Sequence, residues 1–230
     1  YLSDSLIITQ EGNTKDVYLE HLYSGQKKLL YAEMPKWIRD VFTSSYNADS
    51  SIVAFNIDSH PFTVELNYNR IHELPEIKGG ISQVTINPQG TKIIINGNWS
   101  DKEEYKSEVY YMEALTGKLL QKWELDYFSI NAAFSDDGLY GFFPPSFNGS
   151  MTKFSCNSPD KNYYFTDNGI GRFREMYYSR AHNELIIPNF AGEIYRFDMS
   201  SGDIKPIYKL TGNKMHYCHE GDYLVCRDSI

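Results

Sequence analysis

The strongest constraint on the fold is a turn followed by a short β-prone run, which recurs along the whole chain. Its six copies are DSLIIT from Asp4, SSIVAF from Ser50, GTKIII from Gly90, GLYGFF from Gly138, NELIIP from Asn183 and GDYLVC from Gly221. Successive copies begin 46, 40, 48, 45 and 38 residues apart. Self-similarity at a nearly fixed period is the signature of a repeat protein, in which each unit packs on its neighbours.

A second series of turns keeps the same period. Its members are 44, 48, 42 and 43 residues apart, at Gly25, Asn69, Gly117, Pro159 and Gly202. Each lies between two short runs, such as EVYYMEAL and KLLQKWEL, and a further run such as ISQVTIN precedes every first-series turn after Asp4. A unit therefore reads strand, turn, strand, loop, strand, turn, strand. Four short strands in roughly 40–50 residues predict an all-β fold, a β-propeller of four-stranded antiparallel blades.

The segment MEALTGKLLQKWEL, residues 112–125, tests this interpretation because its composition is that of a helix. Leu115, Leu119 and Trp123 even fall four residues apart, on one helical face. The equivalent segment FDMSSGDIKPIYKL, however, carries Pro206 where a helix interior would not accept it. We therefore predict two strands joined by a hairpin turn at Gly117.

The strand pattern gives about five to six blade units in a single domain spanning residues 1–230. The approximate units are residues 1–36, 37–80, 81–126, 127–169, 170–212 and 213–230. The first unit lacks its leading strand and the last ends after its second, which leaves two arrangements open. Either the chain is a small five-bladed ring with an extra strand, or it is part of a ring of six to eight blades. The missing start methionine favours the second, with further domains of the same polypeptide as partners.

The segments INPQGTKIIING, EVYYMEALTGKLLQKWEL and NFAGEIYRFDMSSGD resemble repeats of the WD40/YVTN/quinoprotein-like β-propeller superfamily. In those repeats the turn after the first strand often reads Pro-x-Gly, as at Pro88, and the third strand ends in a Thr-Gly-Lys turn, as at Thr116. The Trp-Asp and Gly-His pairs of strict WD40 repeats are absent, so the resemblance is to the broader group. It implies a fold and carries no reaction chemistry.

Composition narrows the classes of partner. The net charge is −8, which disfavours a duplex nucleic acid because phosphate binding needs a basic surface. No run of 18 apolar residues occurs, so no membrane insertion is expected. The three cysteines are a sparse, odd set that argues against a disulfide framework and favours a reducing compartment such as the cytoplasm.

Propellers bind partners with loops on one face, and the corresponding segments here are rich in aromatic residues. The longest predicted loop, residues 96–107, combines Trp and Tyr with an acidic run. Aromatic side chains and arginines dominate protein interfaces, so we expect a protein or peptide partner. The candidate binding residues are Trp37, Trp99, Tyr105, Tyr127, Phe147, Arg172 and Arg174. Plugging of gaps between blades, or pairing with neighbouring acids, is the competing structural explanation for several of them.

The alternative function is a propeller enzyme, of the lactonase or glycoside hydrolase type, with carboxylates at a central channel. The innermost strands contain Asp40 and Glu175 and little else acidic, which favours the binding module. His216 and Cys218 share a strand face, but no second ligand pair stands at a recognised spacing, so no metal site is predicted. No nucleophile elbow, phosphate-binding loop or complete dinucleotide fingerprint occurs, and we expect no catalytic residues and no cofactor.

Overall fold

The structure is a computed structural model. It describes residues 6–11, 13–14, 16–21, 23–31, 44–49, 51–57, 59–68, 70–101, 104–125, 132–143, 151–165, 176–179, 182, 184–189, 191–199, 201, 203–209, 214–218 and 223–227. Strands make up most of these residues, and no α-helix occurs among them. A 3-10 turn covers Leu66–Tyr68. No helix in the described part of the chain is long and apolar enough to cross a membrane.

The described strands form six antiparallel sheets, each built from strands that are consecutive in the chain. Sheet 1 contains β1 (Leu6–Gln10), β2 (Val17–His21) and β3 (Lys27–Tyr31). Sheet 2 contains β4 (Ser44–Tyr46), β5 (Ile52–Ile57), β6 (His60–Glu65) and β7 (Arg70–Glu73). Sheet 3 contains β8 (Gly80–Ile86), β9 (Lys92–Asp101), β10 (Glu104–Glu113) and β11 (Leu119–Leu125).

The remaining three sheets continue the same order along the chain. Sheet 4 contains β12 (Ala133–Phe134), β13 (Tyr140–Phe143), β14 (Met151–Ser155) and β15 (Ser158–Phe165). Sheet 5 contains β16 (Tyr177–Ser179), β17 (Glu184–Pro188), β18 (Glu193–Asp198) and β19 (Ile204–Lys209). Sheet 6 contains β20 (Lys214–Cys218) and β21 (Tyr223–Arg227). The prediction of an all-β chain with antiparallel sheets of four strands is confirmed.

The hairpin predicted within residues 112–125 is present. β10 ends at Glu113 and β11 begins at Leu119. Gly117 between them has a φ of 68°, a left-handed conformation that glycine adopts without the steric cost of a side chain. The Glu113 N–H donates to the Lys118 carbonyl at 3.0 Å and closes the turn. The helical spacing of the leucines in this segment is therefore accidental.

The prediction of a long loop over residues 96–107 is wrong. β9 continues to Asp101 and β10 already begins at Glu104, so most of this stretch is a hairpin. The pairing is regular from Lys92 opposite Glu113 to Asp101 opposite Glu104. The long spacing between repeated turns that indicated a loop is instead filled by paired strands, whose backbone hydrogen bonds do not depend on side-chain type.

Successive side chains of a strand point to opposite faces, so a sheet can bury apolar residues on both faces. The sheets here pack face to face in this way. In β9, Ile93 and Ile95 pack in a cluster with Ala54 of sheet 2, whereas Ile94 packs with Phe143 of sheet 4. The three isoleucines are fully buried, and each burial contributes about 1.5–3 kcal/mol. Sheet 3 is thus apolar on both faces and joins its two neighbours.

The same packing occurs at the other described junctions. Leu19 of sheet 1 lies in a cluster with Phe55 of sheet 2. Phe142 of sheet 4 and Phe197 of sheet 5 meet edge to face, with ring centroids 6.0 Å apart. The first strands of consecutive sheets also lie together, since β4 contacts β8, β8 contacts β12 and β12 contacts β16.

The turn that repeats in the sequence has a common hydrogen-bonding basis. A buried Asn or Ser directly follows the first strand of sheets 2, 3 and 4. Its side-chain oxygen accepts a hydrogen bond from the backbone N–H five residues later: from Ile52 to Asn47 (2.8 Å), from Lys92 to Asn87 (2.9 Å) and from Tyr140 to Ser135 (3.0 Å). Such side chains take the place of backbone partners in tight turns, which explains the recurrence of the motif.

Candidate functional site

The hairpin of sheet 3 extends past both flanking strands. The pairing of β8 with β9 ends at Gly80 opposite Asn98, and that of β11 with β10 ends at Leu125 opposite Ser107. Beyond these pairs, residues 99–101 and 104–106 continue as a two-stranded extension that we call the ribbon. Among the described residues, no third strand pairs with either side of the ribbon.

Trp99 lies at the base of the ribbon, directly opposite Lys106. Its side chain is half-buried. The Lys78 ammonium lies over the indole, 4.1 Å from the ring centroid. A cation over an indole face is attracted by the ring quadrupole, by about 0.5–1 kcal/mol at an exposed position. This contact joins the ribbon to the connection between sheets 2 and 3.

That connection, residues 74–79, is fixed by apolar anchors and backbone hydrogen bonds. Leu74 and Ile77 are buried, and their N–H groups donate to the carbonyls of Pro61 at 2.9 Å and Ser59 at 3.0 Å. Gly79 follows with a φ of 79°. A Cβ atom at Gly79 would lie 2.3 Å from the Asn98 carbonyl oxygen, so only glycine allows this close approach. The connection thereby carries Lys78 to the Trp99 ring.

A buried carboxylate stands beside this contact. Glu108 is 6% exposed and lies opposite Gly97, two residues along each strand from the Lys106–Trp99 pair. Tyr110 donates its hydroxyl to one carboxylate oxygen, and the Lys122 ammonium lies 3.0 Å from the other. Both carboxylate oxygens are therefore engaged by the chain itself.

The pKa shifts in this cluster follow from those contacts. Burial acts to raise the pKa of Glu108, but the hydrogen bonds from Tyr110 and Lys122 outweigh it and hold that pKa below its ordinary value. The pKa of Tyr110 is raised by burial and by the Glu108 charge. The carboxylate stays ionised and the phenol stays protonated near neutral pH. This pattern is that of a fixed structural pair, since a general acid or base needs a pKa closer to the working pH.

The sequence-predicted site residues fall unevenly on the structure. Trp37, Tyr127, Phe147, Arg172 and Arg174 lie outside the described residues. Of the candidates, Trp99 and Tyr105 are in described strands, and they are not cross-strand partners because Tyr105 lies opposite Ser100.

The acids named for the enzyme alternative, Asp40 and Glu175, also lie outside the part of the chain that the structure describes. His216 and Cys218 are both in β20. Among the described residues, no group of three or more His, Cys, Asp or Glu side chains could hold a metal ion. No metal-binding arrangement of that kind is therefore assembled from those residues.

Sequence reasoning missed Lys78, Gly79 and Glu108. Lys78 and Gly79 precede a strand in the stretch KGGISQV and look like an ordinary polar turn. Glu108 stands beside apolar and aromatic residues in SEVYYM. This pattern indicates a strand but does not indicate that the Glu108 side chain is buried. Their roles depend on contacts between distant segments, and the local pattern carries no signal for these.

Two strongly exposed tyrosines lie in turns of sheets 1 and 2. Tyr23, in the β2–β3 turn, is 80% exposed, and Tyr68, in the β6–β7 turn, is 74% exposed. The β6–β7 turn is at the opposite end of sheet 2 from the β5–β6 turn, because consecutive antiparallel turns alternate between ends. These tyrosines therefore provide a natural comparison for the surface around Trp99.

A scan against protein-family models gave no match to this chain, and a search of curated proteins gave none either.

Proposed function

We propose that this chain is a non-catalytic β-propeller interaction module, which binds a protein or peptide partner through its ribbon and the neighbouring loops. Successive four-stranded antiparallel sheets that pack face to face support a propeller of the WD40/YVTN/quinoprotein-like type. In this proposal each four-stranded sheet is one blade, and the first strands line the centre of the ring. The chain supplies about five to six units, either as a small ring or as part of a ring of six to eight blades.

The observation that carries the binding function is the ribbon with Trp99 at its base. A half-buried tryptophan on a fixed support is the kind of residue that dominates protein interfaces, because it offers a large contact area with little conformational freedom to lose. Its support is fixed by Gly79 and by the buried Glu108 cluster. Tyr105, Trp37, Tyr127, Phe147, Arg172 and Arg174 remain proposed contributors to the same surface.

The experiment is affinity capture of partners followed by direct titration of each purified partner. We expect Trp99→Ala to weaken binding at least tenfold, which corresponds to about 1.4 kcal/mol. Tyr68→Ala is the matched control, since it removes an exposed aromatic side chain from another surface. Equal affinity of wild type and Trp99→Ala for every partner would contradict the proposed surface.

An activity screen separates this proposal from the enzyme alternative. The purified chain is expected to leave a panel of lactones and aryl glycosides unchanged. Turnover that disappears on Asp40→Asn or Glu175→Gln would instead establish the enzyme hypothesis.

A further inference from the structure

One strand position joins each of sheets 2 to 5 to the sheet that precedes it in the chain. It is the penultimate residue of the next-to-last strand, in β6, β10, β14 and β18. The residue there is apolar and buried in all four sheets: Val64, Met112, Phe154 and Phe197. Each packs in a cluster with apolar residues of the preceding sheet. The position therefore reports whether a sheet buries the face that looks back along the chain.

Glu20 takes this position in sheet 1, because β2 is the next-to-last strand there and ends at His21. The adjacent Leu19 is buried against sheet 2, so Glu20 points to the opposite face of sheet 1, which we call the outer face. The Glu20 side chain is 23% exposed. Sheet 1 thus places a carboxylate where the next four sheets bury an apolar side chain.

The partners of Glu20 on the outer face are also polar. The Thr9 hydroxyl donates to the Glu20 carboxylate at 3.3 Å, and the Lys27 ammonium lies 3.5 Å from the same group. Lys27 also lies 3.7 Å from a carboxylate oxygen of Glu11 and 5.7 Å from the Tyr18 ring centroid. The Lys27 and Glu11 side chains are 41% and 47% exposed. A sheet packed over these ion pairs would remove their water, and the attraction between the charges rarely repays that cost.

We infer that the outer face of sheet 1 is a polar cap that stays in water, so that the array of packed sheets is open beside sheet 1. A repeat array needs such a cap because a unit without a neighbour on one side cannot leave an apolar face exposed. Leu29, opposite Tyr18, is the aliphatic side chain described on this face, and it is half exposed. In the propeller proposed above, the ring therefore has its opening beside sheet 1. The inference does not depend on binding through the ribbon, which belongs to sheet 3.

Thiol labelling with N-ethylmaleimide tests the inference. Glu20→Cys places a thiol on the outer face of sheet 1, and Val64→Cys places one at the equivalent position of sheet 2, which packs on sheet 1. The labelling rate of each folded variant is divided by its rate in urea, and peptide mass spectrometry distinguishes the new thiol from the natural cysteines. We expect this ratio to be at least about tenfold higher for Glu20→Cys, because a buried thiol reacts only when the structure opens. Equal ratios would mean that another part of the protein covers the outer face, and would overturn the inference.

A measurement on the wild-type protein decides the matter if Val64→Cys does not fold. A carbodiimide with glycine ethyl ester labels carboxylates that water reaches, and Glu124, at 75% exposure, provides the reference rate for an exposed group. Glu11 and Glu20 are expected to react at least about tenfold faster than the buried Glu108. Rates as slow as that of Glu108 would overturn the inference and leave the proposed binding function in place, since that function is tested separately by Trp99→Ala.

Discussion

Lys122 of β11 and Glu108 of β10 join two neighbouring strands of sheet 3, with the ammonium 3.0 Å from a carboxylate oxygen. Glu108 is buried, whereas the Lys122 side chain is 36% exposed. The carboxylate thus depends on its partners more than the ammonium does, because the ammonium keeps access to water.

Glu108→Gln is expected to lower the free energy of unfolding by about 1–3 kcal/mol, since it weakens the hydrogen bonds that compensate a buried carboxylate. Urea denaturation measures this loss, provided that the slope of the unfolding free energy against urea concentration is the same for both proteins. Glu124→Gln is the matched control: Glu124 also lies near Lys122, at 3.3 Å, but its side chain is 75% exposed. Removal of an exposed pair should cost no more than about 1 kcal/mol, and equal losses for the two variants would contradict the assignment.

The same residue predicts a dependence of stability on pH. The folded-state pKa of Glu108 lies below its ordinary value of 4.5, so as pH falls the unfolded state takes up the proton first. The contribution of Glu108 is therefore fully present above pH 4.5 and is lost as pH falls through the folded-state pKa. The stability difference between wild type and Glu108→Gln should shrink over that interval, as measured by urea titrations at a series of pH values. A difference that stays constant down to the acid transition would contradict it.

Gly79→Ala tests the link between the connection and the ribbon. The new Cβ would lie 2.3 Å from the Asn98 carbonyl oxygen, on a backbone with a φ of 79°. We expect the free energy of unfolding to fall by about 1–3 kcal/mol, because the cost of the strained backbone adds to that of the clash with main-chain atoms. Gly25→Ala is the control, since Gly25 has a φ of 65° with no atom within 4 Å of the added Cβ. Its loss in the free energy of unfolding should be smaller, about 1 kcal/mol, because only the cost of the left-handed backbone remains.

The part of this fold that sequence could predict is the part that local chemistry determines. The turn at Gly117 and the turn held by the Asn87 side chain each depend on residues only a few positions apart. Turns of this kind therefore recur as visible motifs in the sequence. The ribbon was missed because residues 100–104, Ser-Asp-Lys-Glu-Glu, contain no apolar residue, and strand prediction depends on hydrophobic alternation. The Lys78–Trp99 contact needs the path of the connection as well, and no local pattern specifies that path.

Tyr111 links sheets 3 and 4, and substitutions can test its ring and its hydroxyl separately. The side chain is fully buried, its ring meets Phe154 with centroids 4.9 Å apart, and its hydroxyl donates to the Cys156 carbonyl at 3.0 Å. Tyr111→Phe keeps the ring and leaves that carbonyl without this donor, so we expect a loss of about 1–3 kcal/mol.

Tyr111→Ala removes the ring as well and should cost about 3–5 kcal/mol through the cavity it leaves. Both values come from chemical denaturation, with Tyr68→Phe as the control for loss of a hydroxyl at an exposed site. Because Tyr111 contacts sheet 4 through both its ring and its hydroxyl, hydrogen exchange in β13 and β14 should accelerate more in the alanine variant than in the phenylalanine variant. Unchanged protection of both strands in Tyr111→Ala would mean that sheets 3 and 4 do not unfold as one cooperative unit.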